Sequence, residues 1–176
     1  YKFLDIAKRA GSKSLVAENV PNLLRLENGA VFKEVLRSLH TAGFKHISWR
    51  LLNARHFGLP HHRNRVFIIA SKSQETAFTL FRPTPDKNYT ANSHNVAGFY
   101  WTAGTHALNY SEGYVPTLKI GSSIGIASPP AVHYDNVVRQ ISWNEALKLQ
   151  GFDPYYFADI KPTAIFKMAG NAVAKP

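Results

Sequence analysis

Apolar positions along the chain change their period several times, and each change marks an element. Phe3, Leu4, Ala7 and Ala10 recur at helical spacing and Gly11 closes the run, which predicts a helix over 2–10. SLVAENV at 14–20 is a short apolar run with β-branched valines, and it predicts a buried strand ending near Glu18. Val31, Phe32, Val35, Leu36 and Leu39 return to the helical period, with Gly43 at the end of a helix over 29–43. HISWRLLNA at 46–54 and VFIIAS at 66–71 predict two further strands, the second being the clearest buried strand of the chain. The polar segment RHFGLPHHRNR (55–65) between them is too short for a helical crossover, so the two strands are expected to pair antiparallel.

Strand, helix, strand, loop, strand is the grammar of an α/β sheet with covered faces. Residues 72–137 break it. They are rich in Asn, Thr, Ser, Gly, Pro and aromatic residues without helical period, and they predict a separate lobe of loops and short strands. The helical pattern resumes at Ser142, where Ser142 and Glu145 offer a capping box ahead of EALKLQ and a stop at Gly151. The expected division is therefore 1–71, 72–137 and 138–176.

Composition narrows the function. At 45% hydrophobic residues, with no low-complexity tract, 176 residues suffice for a packed core. The apolar runs are too short to span a bilayer, so a soluble intracellular protein is expected. Charge is lopsided: residues 1–72 hold thirteen Lys/Arg against four Asp/Glu, whereas 73–176 hold eight against seven. A basic half-chain points to a polyanionic partner, most often nucleic acid, although a solvated basic face has the same composition. Zero cysteines exclude disulfides, cysteine-ligated zinc and a cysteine nucleophile within these residues. The eight histidines show no metal-like pairing beyond His61-His62 and are not read as ligands. A start at Tyr1 and an end in FKMAGNAVAKP suggest a segment of something larger.

Three local signatures follow in order. Glu18-Asn19-Val20 sits at a strand end, where a carboxylate is ordinarily a cap or a surface charge. Arg63-x-Arg65 follows Gly58-Leu59-Pro60, in a loop where arginines are ordinarily solvated or paired with phosphate. Gly170-Asn171-Ala172-Val173 would by itself be a turn. Their coincidence carries more. The stretches AENV, LLNARHFGLPHHRNRVFIIA, RQISWNEALKLQGF and MAGNAVAKP, in that order over about half the chain, resemble the DNA (cytosine-5)-methyltransferase family of the bacterial restriction-modification type.

The resemblance implies an S-adenosylmethionine-dependent methyltransferase-type α/β sheet, with the lobe at 72–137 serving target recognition. It implies S-adenosyl-L-methionine as methyl donor, double-stranded DNA as partner, no membrane, and a cytoplasmic, nucleoid-associated location in a bacterium. Glu18 would assist at cytosine N3 and Arg65 would hold the ring carbonyl, with Arg63 beside it or on a phosphate. Asn171 would lie near the donor. His61 stands where the family usually has Gln, as a polar residue toward DNA. The chemistry wants these groups because C5 of cytosine is a poor nucleophile until another nucleophile adds at C6 while N3 is protonated or strongly hydrogen-bonded. The family's glycine-rich cofactor segment and Pro-Cys loop are not among these residues. They are therefore expected on an N-terminal catalytic half, on the same polypeptide or a separate subunit, with this chain inactive alone. Two other readings stay open: a non-catalytic DNA-binding subunit, and an RNA cytosine-5 methyltransferase.

Overall fold

The computed structural model describes residues 2–83, 96–100, 110–119 and 130–176. Much of the stretch expected to read bases, between 84 and 129, lies outside the described residues. The chain divides into two compact units, Tyr1–Leu52 with Asn64–Thr84 and Asn53–Arg63 with Pro85–Pro176.

The first unit contains α1 (Lys2–Arg9), β1 (Ser14–Asn19), α2 (Ala30–Thr41), β2 (His46–Asn53), β4 (Asn64–Ser71) and α3 (Gln74–Phe78). Its three-stranded sheet has the order β1-β4-β2, so the VFIIA run forms the middle strand and is a neighbour of β2, as its apolar character requires. β1 and β4 run antiparallel, with Leu15 opposite Ala70 and Ala17 opposite Ile68. That face packs on Ala7, Phe32, Leu39 and Phe44 from the helices and the turn after them, which is the core of this unit. Alternation sends Val16 and Glu18 to the opposite face.

Two expectations change here. Among the described residues β1 stands at the edge of its sheet, paired on one side only, and Val16 is 62% exposed. A short apolar run cannot reveal how many neighbours a strand has. Pro21 opens a 3₁₀ turn directly after it and cannot continue a ladder, which stops the strand. Second, α3 was not expected. Ser73 caps it by accepting from Thr76 N, and its Ala77 carbonyl accepts from the buried Ser48 hydroxyl of β2.

In the second unit, β3 (His61–His62) pairs in parallel with β7 (Val115–Pro116). A four-stranded antiparallel sheet of order β6-β5-β8-β9 comprises β5 (Val96–Tyr100), β6 (Ser111–Glu112), β8 (Pro130–Tyr134) and β9 (Val137–Gln140). The two-residue loop of the β8–β9 hairpin is Asp135-Asn136, both with positive φ (45° and 64°), the conformation that matches strand twist. At Gly98 an added Cβ would stand 2.6 Å from the Tyr114 carbonyl oxygen, so the backbones approach there as only glycine allows.

Helix α4 (Trp143–Leu149) carries the expected capping box, with Ser142 and Glu145 bonded reciprocally. Arg139 grips the same carboxylate through two contacts of 2.7 and 2.8 Å and holds Glu145 down to about 2. Helix α5 (Pro162–Asn171), not among the expected elements, starts on Pro162 and buries Ile165 and Ala169 against α4 residues Ala146 and Leu147. Among the described residues no helix is long and apolar enough to cross a membrane.

Candidate active site

Glu18 lies opposite Phe67 in the β1–β4 ladder. Arg65, two residues before Phe67, therefore emerges on the same face, on the diagonal from Glu18. Arg65 Nε lies 2.8 Å from Glu18 Oε1, with the two side chains only 13% and 22% exposed. A further bond from Arg65 Nη1 to the Asn64 carbonyl (2.8 Å) fixes the guanidinium at the start of its strand. The separation is that of an ion pair, yet Glu18 Oε1 is buried without a directed hydrogen bond. A shielded carboxyl and a guanidinium, imperfectly matched to each other, form a pair that a planar polar ring could engage from both sides. The expectation of two arginines in a loop is corrected for Arg65, which is the second residue of β4.

The remaining predicted residues lie in the second unit. Arg63 is 3% exposed, and Nη2 donates to the carbonyls of Gly170 (3.1 Å) and Ala172 (2.7 Å) at the end of α5. His61 is fully buried, and its Nε2 accepts from Leu118 N at 3.2 Å, which places its proton on Nδ1. Neither placement suits the expected contact with DNA, because both side chains face the interior of their unit. Asn171 is exposed at the last position of α5, between the two carbonyls that Arg63 holds. So the structure brings Glu18 to Arg65, and Arg63 to the turn around Asn171.

Two residues not among the predicted site residues shape the segment between β2 and β4. Asn53 Oδ1 accepts from Arg55 N and Arg63 N, both at 3.1 Å, and ties the two ends of the 54–62 loop together. Arg55 then stacks over Tyr114 at 4.4 Å. Burial, followed by the charges of Arg55 and His56, lowers the pKa of His62 from its ordinary value. Asn53 carries a local signal, an Asn at a strand end before a loop.

Residues 1–117 match the family model described as C-5 cytosine-specific DNA methylase. The chain belongs to that family. Relatives include the Type II methyltransferase M2.BsuMI of Bacillus subtilis (strain 168), 36% identical over 175 residues. The Type II methyltransferase M1.ScrFI of Lactococcus lactis subsp. cremoris is 28% identical over 212 residues. These alignments take in 91% and 100% of this chain but only 45% and 52% of the relatives, so it spans about half their length. Among solved structures, the S. pombe Dnmt2 methyltransferase superposes with a TM-score of 0.59 at 12% identity, covering 92% of this chain and 61% of that one. The Entamoeba histolytica methyltransferase EhMeth gives 0.56 at 17% identity, covering 92% and 58%. At such identities the likeness is one of fold, and it is the methyltransferase-type α/β fold expected from the sequence. For a C-5 cytosine-specific methylase chain, the Glu18–Arg65 pair sits within the matched region, whereas Asn171 lies beyond it.

Proposed function

We propose that this chain is the base-holding and target-recognition part of an enzyme that transfers a methyl group from S-adenosyl-L-methionine to C5 of a flipped cytosine in duplex DNA. The observation that carries the reading is the shielded Glu18–Arg65 pair on adjacent strands. A nucleophile adding at C6 pushes electron density toward N3 and the ring carbonyl. Glu18 would pass a proton to N3 and Arg65 would donate to the carbonyl oxygen, so both would stabilise the charge where it develops. C5 would then have the electron density it lacks in the free base; after methylation the C5 proton would pass to a base, the C6 nucleophile would leave, and the N3 proton would return to Glu18. The base must leave the stack for this, since neither group could reach it inside a duplex.

The C6 nucleophile lies outside these 176 residues, which contain no cysteine, and we assign it to an N-terminal catalytic half on the same polypeptide or a partner subunit. When bound, S-adenosyl-L-methionine supplies an electrophilic methyl group. Asn171 fits one wall of its site, because its exposed carboxamide stands on a turn whose flanking carbonyls are both anchored. Residues 72–137 supply target recognition, with β5, β6, β7 and β8 as its framework. The Type II relatives favour a bacterial restriction-modification setting, and a cytoplasmic location follows from it.

A basic first half, thirteen Lys/Arg against four Asp/Glu, gives the reading an electrostatic test. Affinity of the intact enzyme for duplex DNA should fall with salt, and each phosphate contact removed should reduce the log–log slope by about 0.9. Exposed Lys45 and the half-buried Arg55 are the residues of the 45–65 stretch best placed to show this on substitution by Ala. Duplex DNA should compete with itself, and tRNA should compete poorly. Preferential methylation of tRNA would replace the substrate by RNA, and salt-independent DNA affinity would reduce the charge to a solvated face. A purely DNA-binding subunit is disfavoured because such a protein has no use for a shielded carboxyl paired with an arginine.

A further inference from the structure

We propose that Arg63 is a positioning residue that locks the Asn171 turn in place for the methyl donor, and is not a DNA contact. The proposal rests on the reading that Asn171 faces the donor. Helix α5 ends with carbonyls that have no partner further along the helix, as every helix does. Here Gly170 and Ala172 present theirs to one guanidinium nitrogen, that of a residue 107 positions away from Gly170. A fixed positive charge at that end also complements the helix dipole. Arg63 is itself held, since its backbone N donates to Asn53 Oδ1 and its carbonyl accepts from Ala54 N.

The strap that follows α5 is fastened from a second direction. Gln150 Nε2 donates to the Ala169 carbonyl, and Lys175 N donates to the Gln150 carbonyl at 2.8 Å. Gly151 permits the approach, because a Cβ there would stand 1.7 Å from the Lys175 carbonyl oxygen. Ala169, Gly170, Ala172 and Lys175 are thus all pinned through backbone atoms, while the side chain between them, Asn171, is exposed. A turn fixed on both sides of one exposed carboxamide is built to present that carboxamide. The buried guanidinium has no surface to offer a phosphate.

The test uses the intact enzyme with Arg63→Met, which keeps length and removes the charge, and Arg63→Lys, which keeps charge and one donor direction. Expected for Arg63→Met are faster amide exchange in 169–175 and roughly tenfold weaker donor binding, the size of one lost bond to a charged group. Arg63→Lys should recover part of both. The salt slope of DNA binding should not move in either variant. Unchanged exchange in 169–175 would overturn the proposal, as would a slope reduced by about 0.9 with donor affinity intact. Asn171→Ala separates the premise from the inference. Unaltered donor affinity in that variant would sink the reading of Asn171, and faster exchange in Arg63→Met would then describe a structural brace only.

Discussion

Replacing Glu18 by Gln in the intact enzyme is expected to lower turnover by about 10²–10⁴-fold, the usual contribution of a positioned general acid. The fold and the donor affinity should survive. Glu18 sits at the end of β1, off the face that carries the core, so an isosteric amide creates neither a cavity nor a clash there. Gln can still donate a hydrogen bond to N3, but it cannot transfer a proton there. The loss should therefore fall on kcat rather than on the retention of DNA. Circular dichroism of the variant separates a catalytic defect from misfolding, and near-normal turnover with a native spectrum would remove Glu18 from the mechanism.

Arg65→Ala should produce the second large effect, and of a different kind. Truncation leaves Glu18, 22% exposed in its side chain, beside the gap where a charge stood. It also removes the donor to the ring carbonyl. A charge-assisted bond of this sort contributes about 1.5–3 kcal/mol, so turnover should drop by at least tenfold and the flipped base should be held less well. Arg65→Lys should recover little, because one ammonium cannot span both Glu18 and the ring carbonyl as a planar fork does. A Lys variant with full activity would show that only charge is needed at this position, against a directed bond to the base.

Parts of this site were legible in the sequence for physical reasons. Glu18 and Arg65 stand at the junctions of apolar runs, where a polar residue is out of pattern, and the order of four motifs gave the family. Their juxtaposition was not legible. It comes from an antiparallel register linking residues 47 positions apart, and period alone does not fix register. Arg63 and His61 misled because a polar, basic stretch looks like surface. Burial of a guanidinium becomes intelligible only with its acceptors, and those lie at Gly170 and Ala172. The Asp135-Asn136 hairpin did carry a local signal, two residues tolerant of positive φ between β-branched runs. Helix α5 was hidden because Gly170 and Asn171 read as a turn when taken without Ile165 and Ala169 before them.

The central claim is that Glu18 and Arg65 activate cytosine for methylation at C5. Its most direct measurement is the identity of the product: duplex DNA labelled with a radioactive methyl group by the intact enzyme, digested to nucleosides and separated. Label should appear in 5-methylcytosine, and it should fall by about 10²–10⁴-fold with Glu18→Gln. Label on an exocyclic amino group, or 5-methylcytosine formed at an undiminished rate by the Glu18→Gln enzyme, would contradict the account.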